Sequence, residues 1–170
     1  MDNLLDAYLA RFQNLPNFEI RSISPDGMFT NNWFVVTGDV VKELVINELN
    51  IPVQVSTVTG DIQKWGRLTA LAKRVWEVEE RCYRTWRSAF WLKAISGEDK
   101  PKDWKKPSAD TIECMYRVEP EYQQYQIRIE RAEEAYNATE SILQAFRAKK
   151  DMLQRMTQMY KDDGLSANLV

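Results

Sequence analysis

From residue 121 to residue 160 the chain contains neither glycine nor proline, and its apolar positions alternate three and four residues apart. More than five heptads of this pattern predict one long helix, from about residue 120 to 160, that packs against a helical partner. At 1.5 Å per residue such a helix is ~60 Å long. The repeat consists of Tyr122, Tyr125, Ile129, Ala132, Tyr136, Thr139, Leu143, Phe146, Lys150, Leu153, Thr157 and Tyr160.

A second long helix is predicted over 61–95. Asp61 follows Gly60 and is a suitable N-cap, while Ser96 and Gly97 form a stop. Its apolar residues again recur three or four apart, with polar Thr85 interrupting the pattern once: Leu68, Leu71, Val75, Val78, Cys82, Ala89 and Leu92. The simplest architecture is therefore a mainly α fold, a long antiparallel helical hairpin over 61–170. Because two helices alone cannot bury both apolar stripes, we expect a homo-oligomer.

The first 60 residues have a different pattern and predict a small N-terminal α+β appendage. A short helix ends before Pro16, and strands are expected at 18–23 and 33–37 around a Ser-Pro-Asp-Gly turn. A helix capped by Asp39 is expected to continue through Leu49. Valines 53, 55 and 58 then suggest a further short strand, so the predicted boundary between two units lies at residue 60.

A polar connecting loop, 96–119, joins the two long helices. It is rich in lysine, contains prolines, and includes Trp104. Within it, Ser108 is placed to cap a short helix through Tyr116. Pro120 suits the first turn of the helix that follows.

The residue types exclude most enzyme chemistry. The chain has no histidine, which is the commonest general base and metal ligand near neutral pH. It also lacks phosphate-cradling glycine motifs and paired cysteine ligands, so we expect no catalytic residue, no metal and no cofactor. Cys82 and Cys114 are far apart and are expected to be reduced thiols. With no membrane-length apolar run and no basic segment at the N-terminus, we expect a cytoplasmic protein.

Positive charge is concentrated in the middle of the chain. Residues 61–107 have 12 basic and 7 acidic side chains, whereas residues 1–60 have 3 basic and 7 acidic ones. Basic side chains neutralise phosphates, and exposed aromatic rings stack on unpaired bases. The predicted nucleic-acid-binding residues are Arg84, Arg87, Trp91, Lys100, Lys102, Trp104, Lys105 and Lys106. A second basic cluster comprises Arg147, Lys149, Lys150 and Arg155.

Each of these features also has a structural interpretation. Trp86 and Phe90 lie on the apolar face of the predicted helix and fit a core position better than a binding position. The arginines of the same helix can simply be solvated or pair with glutamates. The lysines of the loop can belong to an ordinary linker. The second cluster is close to a helix C-terminus, where basic side chains complement the helix dipole.

Three segments of the chain also resemble a known family. They are Lys106-Pro-Ser-Ala-Asp-Thr-Ile-Glu113, Val118-Glu-Pro-Glu-Tyr122 and Ala145-Phe-Arg-Ala-Lys-Lys-Asp-Met-Leu153. Over residues 65–158 this pattern is similar to that of phage recombination mediators akin to UvsY; the first 60 residues depart from it. The resemblance implies a ring-forming protein that binds single-stranded DNA and helps a RecA-type recombinase displace single-strand-binding protein. It places phosphate contacts at Lys100, Lys102, Lys105 and Lys106, with Arg84 and Arg87.

Two functional hypotheses follow. The first is a non-enzymatic single-stranded DNA-binding accessory protein of phage recombination, acting in the host cytoplasm. The alternative is a protein-interaction module, such as a phage inhibitor or assembly factor that acts on a host protein through the acidic N-terminal unit. A purely structural oligomer is a third possibility, in which neither region matters beyond assembly.

Overall fold

The computed structural model describes residues 4–13, 18–24, 28–36, 40–96 and 105–162. The chain is mainly helical, as predicted. Its elements are α1 (Leu4–Phe12), β1 (Phe18–Ile23), β2 (Phe29–Val36), α2 (Val40–Leu44), a short 3-10 helix (Glu48–Asn50), α3 (Ile51–Ser96), α4 (Ala109–Arg117) and α5 (Pro120–Asp162). No helix in these ranges is both long and apolar enough to span a membrane.

The two longest helices, α3 and α5, contact each other through aromatic rings along their length. Ring centroids are 6.2 Å apart for Trp65 and Phe146, 5.7 Å for Trp76 and Tyr136, and 5.5 Å for Trp86 and Tyr125. Residue numbers thus rise along α3 as they fall along α5. On α3 the most regular line of buried side chains is seven residues apart: Ile51, Val58, Trp65, Ala72 and Glu79.

The predicted start of the first long helix was wrong. α3 begins at Ile51, and Gly60 and Asp61 lie in its interior instead of at its N-terminus. The strand expected at Val53, Val55 and Val58 is the first two turns of this helix. Burial explains the difference, because Ile51 and Val58 extend the buried heptad line of Trp65 and must lie on the same helical face.

The N-terminal elements share a core with the long helices. Leu5 and Phe12 of α1 and Val40 and Leu44 of α2 belong to one buried cluster with residues of α3 and α5, Trp65, Ile142, Phe146 and Leu153 among them. The predicted boundary at residue 60 therefore falls inside a helix and beside a continuous core. The apolar stripe of α5 is covered at this end by the same chain.

The two strands pair antiparallel, with Phe18 opposite Val36 and Ile20 opposite Phe34. β1 has the predicted bounds, whereas β2 begins at Phe29, four residues before the predicted start. Ile20 of β1 is buried in a second cluster with Ala72, Val75, Ala132 and Ala135, where the small alanines leave room for the strand. α2 ends at Leu44, so the helix predicted through Leu49 is shorter than expected.

From residue 105 onward the structure agrees closely with the prediction from the sequence. Ser108 caps α4, and its hydroxyl accepts a hydrogen bond from the backbone N–H of Thr111 at 3.2 Å. α4 buries Ile112 and Tyr116, and α5 begins at Pro120. The predicted short helix and the predicted start of the last helix are both confirmed.

Candidate nucleic-acid interface

A groove on the last turns of α3 brings together three of the predicted binding residues. Its volume is about 610 Å³, and its lining consists of Arg84, Arg87, Ser88, Trp91 and Leu92. Helical geometry explains the grouping, since residues three, four and seven positions apart share a face. The site is therefore built on a rigid helix.

The two arginines of the groove are held in different ways. Arg84 donates from Nη2 to the Oε2 of Glu80 at 2.6 Å, and its side chain is 74% exposed. An exposed pair of this kind contributes little stability, so a phosphate can replace the carboxylate at small cost. The guanidinium of Arg87 lies over the ring of Tyr116, 5.2 Å from its centroid. This cation–π contact orients Arg87 while its in-plane N–H donors remain suited to an anion.

Trp91 and Leu92 supply the apolar part of the groove. Trp91 is half-buried, and Leu92 is 63% exposed. The sequence pattern placed Leu92 on the packed face of the helix. That prediction was wrong, because the packed face near the end of α3 is formed by the larger rings of Trp86 and Phe90. An accessible indole beside two guanidiniums is the combination that binds a base and its flanking phosphates.

Beneath the groove, a six-ring cluster joins α3, α4 and α5; its members are Tyr83, Trp86, Phe90, Tyr116, Tyr122 and Tyr125. Neighbouring centroids in the cluster lie between 5.5 and 6.3 Å apart. Burial raises the pKa of the Tyr83 phenol, so this group stays neutral at physiological pH. Trp86 and Phe90 are half-buried and pack within this cluster, in agreement with their structural interpretation.

The loop residues of the predicted site are only partly described. Lys100, Lys102 and Trp104 lie outside the described residues. Lys105 and Lys106 are exposed immediately before α4. They belong to the same end of the molecule as the groove, since Tyr116 of α4 contacts Arg87.

The second basic cluster does not form one surface. Arg147 and Arg155 are exposed on α5 and Lys150 is half-buried, but Lys149 is 5% exposed. The Nζ of Lys149 donates to the backbone carbonyls of Glu43 at 2.7 Å and Val45 at 3.3 Å. Burial lowers the pKa of its ammonium, against the opposite effects of Asp61 and Glu43. Lys149 is therefore a structural link between α5 and the end of α2, and it is not exposed together with the other members of the predicted basic cluster.

For Lys149 and Lys150, the heptad pattern predicted the wrong residue to be buried. Lys150 was assigned to the buried repeat of α5, yet Lys149 is the more buried of the two. Ala145 and Ile142 are also fully buried, beyond the predicted stripe. The N-terminal elements cover this second face, which makes the buried surface of α5 wider than a coiled-coil seam.

Groups suited to metal binding are not assembled in the described ranges. No cluster of three or more Cys, Asp and Glu side chains there is arranged to hold a metal ion. Cys82 is half-buried and Cys114 is exposed, and neither forms a disulfide.

Ser88 and Leu92 line the groove but were not among the predicted binding residues. Their spacing could have identified them, because positions 84, 88 and 92 are four residues apart and lie on one helical face.

Comparison of the chain with protein-family models, with curated proteins and with solved structures found no match.

Proposed function

We propose that the protein is a non-enzymatic accessory protein that binds single-stranded DNA through the groove at the end of α3. The observation that carries this proposal is the convergence of Arg84, Arg87 and Trp91 on one groove of about 610 Å³. The two guanidiniums neutralise phosphates and the indole stacks on a base, and these are the two components of sequence-tolerant single-strand binding.

Binding in this groove needs no bond to be made or broken. Arg84 and Arg87 neutralise neighbouring phosphates and release counterions, so affinity falls as salt rises. Trp91 stacks on an unpaired base, which a duplex does not offer. Lys105 and Lys106 are exposed at the same end and extend the positive surface toward α4.

The resemblance to the UvsY-like mediators supports a place in phage homologous recombination. In this proposal the protein loads a RecA-type recombinase onto a strand covered by single-strand-binding protein, in the host cytoplasm. We further propose that α3 and α5 act as an antiparallel hairpin and that copies of the chain assemble into a ring or bundle. Such assembly would place several grooves along one strand.

The proposal is tested by fluorescence anisotropy with a labelled poly-dT oligonucleotide across a range of salt concentrations. We expect Trp91→Ala to weaken binding by about 1–3 kcal/mol, roughly 5- to 150-fold. Trp91→Phe should restore most of the affinity, and Arg87→Ala should reduce the salt dependence by about 0.7 log units per log of salt. Arg11→Ala, an exposed change on α1, is the matched control for charge.

Circular dichroism and the mass in solution of each variant separate a lost contact from a lost fold. The proposal is contradicted if folded Trp91→Ala and Arg87→Ala proteins bind as wild type does. It is contradicted equally if the affinity of the wild type does not change with salt.

A group of exposed apolar residues supports a second candidate function, the binding of another protein. Leu49 is 88% exposed, Val53 60% and Val45 51%, around the turn that leads into α3. Exposed apolar residues grouped in this way are typical of a surface that binds another protein. They belong to the acidic first third of the chain, which fits the alternative of a protein-interaction module such as a phage inhibitor or assembly factor acting on a host protein.

Light scattering with and without poly-dT distinguishes the two candidates. A particle that gains the mass of the oligonucleotide, and fails to do so with Trp91→Ala, supports the DNA-binding function. A mass that is unchanged at low and moderate salt supports the protein-binding alternative and directs mutagenesis to Leu49 and Val53.

A further inference from the structure

We infer that the bound strand does not end at the groove but continues along the outer face of α3, over Arg81, Arg74 and Arg67. This inference rests on the proposed function and adds the path and length of the nucleic acid. It assigns a binding role to three arginines outside the predicted site.

The three arginines are spaced seven residues apart and are all exposed. Seven residues are close to two helical turns, so the side chains form a line that drifts only about 20° per step. The drift brings the line to Ser88, which already lines the groove. From Arg67 to Trp91 the track is ~36 Å long at 1.5 Å per residue.

The charge of this face is strongly one-sided. Between residues 67 and 91 of α3, six basic side chains are exposed, whereas Glu77 and Glu80 are the only acidic ones that are not buried. The outer side of α5 is net acidic between residues 130 and 134, where Glu130, Glu133 and Glu134 are exposed beside one basic residue, Arg131. A phosphate backbone is therefore attracted to the α3 side of the molecule and repelled from the α5 side.

Two arginines of the track, Arg67 and Arg81, are available for an anion. Within the described ranges no acidic side chain forms an ion pair with either of them. Arg74 is engaged by its own chain and donates from Nη2 to the carbonyl oxygen of Ser24 at 3.5 Å. In the same ranges Arg84 pairs with one carboxylate, that of Glu80.

The dimensions predict how affinity depends on strand length. A stacked strand advances 3.4 Å per nucleotide, so a ~36 Å track accommodates about ten nucleotides. The groove alone, from Arg84 to Trp91, spans ~10 Å and accommodates about three. Affinity should therefore continue to rise with length well beyond the few nucleotides that fill the groove.

The experiment compares dT6 with dT15 on the full-length protein and on Arg67→Ala/Arg81→Ala. In the wild type we expect dT15 to bind far more tightly than dT6. In the double variant we expect dT15 affinity to fall about tenfold and the salt slope to decrease by about 1.4, while dT6 binding is retained. Arg74 is left intact because of its contact with Ser24.

Two further variants act as controls. Arg67→Lys/Arg81→Lys keeps both charges and should bind dT15 nearly as well as the wild type. Arg11→Ala/Arg131→Ala removes the same net charge from exposed positions on α1 and α5 and should leave the preference for dT15 intact.

The outcomes separate this inference from the proposed function. A result in which Trp91→Ala loses dT6 binding while Arg67→Ala/Arg81→Ala binds dT15 as wild type does supports DNA binding in the groove. The same result contradicts the path of the strand along α3. If the groove variants have no effect on either oligonucleotide, the proposed function itself fails. If Arg67→Ala/Arg81→Ala lowers the affinity for a blunt dT15·dA15 duplex as much as it lowers the affinity for dT15, the assignment of the track to single strands is wrong.

Discussion

Among the described residues, two charged side chains are buried, Glu79 of α3 and Lys149 of α5, and their surroundings satisfy them unequally. Lys149 donates to two backbone carbonyls, as a buried ammonium must if its desolvation is to be offset. Glu79 is 4% exposed, and its Oε2 has no hydrogen-bond partner in the described ranges. The Nε of Arg128 lies 3.7 Å from this oxygen. For Glu79, desolvation and attraction therefore compete.

The pKa of Glu79 shows which effect is larger. Burial raises this pKa above the ordinary value of 4.5, although Arg128 and Arg21 both act to lower it. Since the folded state then binds the proton more tightly than the unfolded state, the contribution of Glu79 to stability is present below pH 4.5. It is lost as the pH rises through the raised pKa.

We therefore expect Glu79→Gln to raise the free energy of unfolding at pH 7, because the amide has nearly the same volume and no charge to desolvate. Urea unfolding at pH 4.5 and pH 7.0 measures the effect, and the difference between variant and wild type cancels the other carboxylates. The gain should be larger at pH 7.0. A loss of stability at pH 7.0 would mean instead that the pair with Arg128 outweighs the burial of the carboxylate.

Among the elements, α3 departs most from its prediction. Valine favours strands in local propensity, and Gly60-Asp61 is a common helix start, so local rules placed a strand and a boundary before residue 61. The heptad line from Ile51 to Ala72 was present in the sequence but was interpreted as beginning later. Packing against α5 and the N-terminal elements decides the conformation here.

A glycine in the interior of a helix costs about 0.5–1 kcal/mol relative to alanine. A Cβ added at Gly60 meets no atom within 4 Å. We therefore expect Gly60→Ala to stabilise the protein by about 0.5–1 kcal/mol. Thermal unfolding followed by circular dichroism measures the shift.

Gly66→Ala provides the comparison, because the predicted and the observed helix both include residue 66 and its Cβ position is equally free of contacts. If Gly66→Ala stabilises the protein while Gly60→Ala destabilises it, the helix does not run through residue 60.

At the scale of the whole molecule, three groups of residues cover the line where α3 meets α5. α1 and α2 pack at one end, Ile20 of β1 packs at the middle, and α4 packs against the six-ring cluster at the other end. Much of the apolar surface that the sequence assigned to self-association is thus buried within one chain. Self-association is therefore not needed to cover those parts of the long helices, and oligomerisation remains a proposal.

Leu44 tests whether the N-terminal elements are part of one cooperative fold. Its side chain is 0% exposed in the cluster shared with α3 and α5. We expect Leu44→Ala to lower the free energy of unfolding of the entire chain by about 2–5 kcal/mol, in a single transition. Leu49→Ala, at a position 88% exposed, is the control and should have little effect. Two separate transitions in urea, with only the first shifted by Leu44→Ala, would restore the picture of an independent N-terminal unit.

The sequence by itself determined the helical nature of the chain, the start of α5 at Pro120, the cap of α4 at Ser108 and the bounds of β1. These features depend on local periodicity, capping and turn chemistry, which act within a few residues. It also selected Arg84, Arg87 and Trp91 as candidate binding residues from their basic and aromatic character, and the structure places all three on one groove.

Only the tertiary structure decided which face of each helix is buried, and therefore which charges are accessible. Lys149 and Lys150 are adjacent and chemically identical, yet contact with the carbonyls of Glu43 and Val45 buries the first and leaves the second half-exposed. In the same way, packing of the rings of Trp86 and Phe90 against α4 and α5 turns Leu92 outward into the groove. Burial depends on partners distant in the sequence, and a pattern within one helix does not contain them.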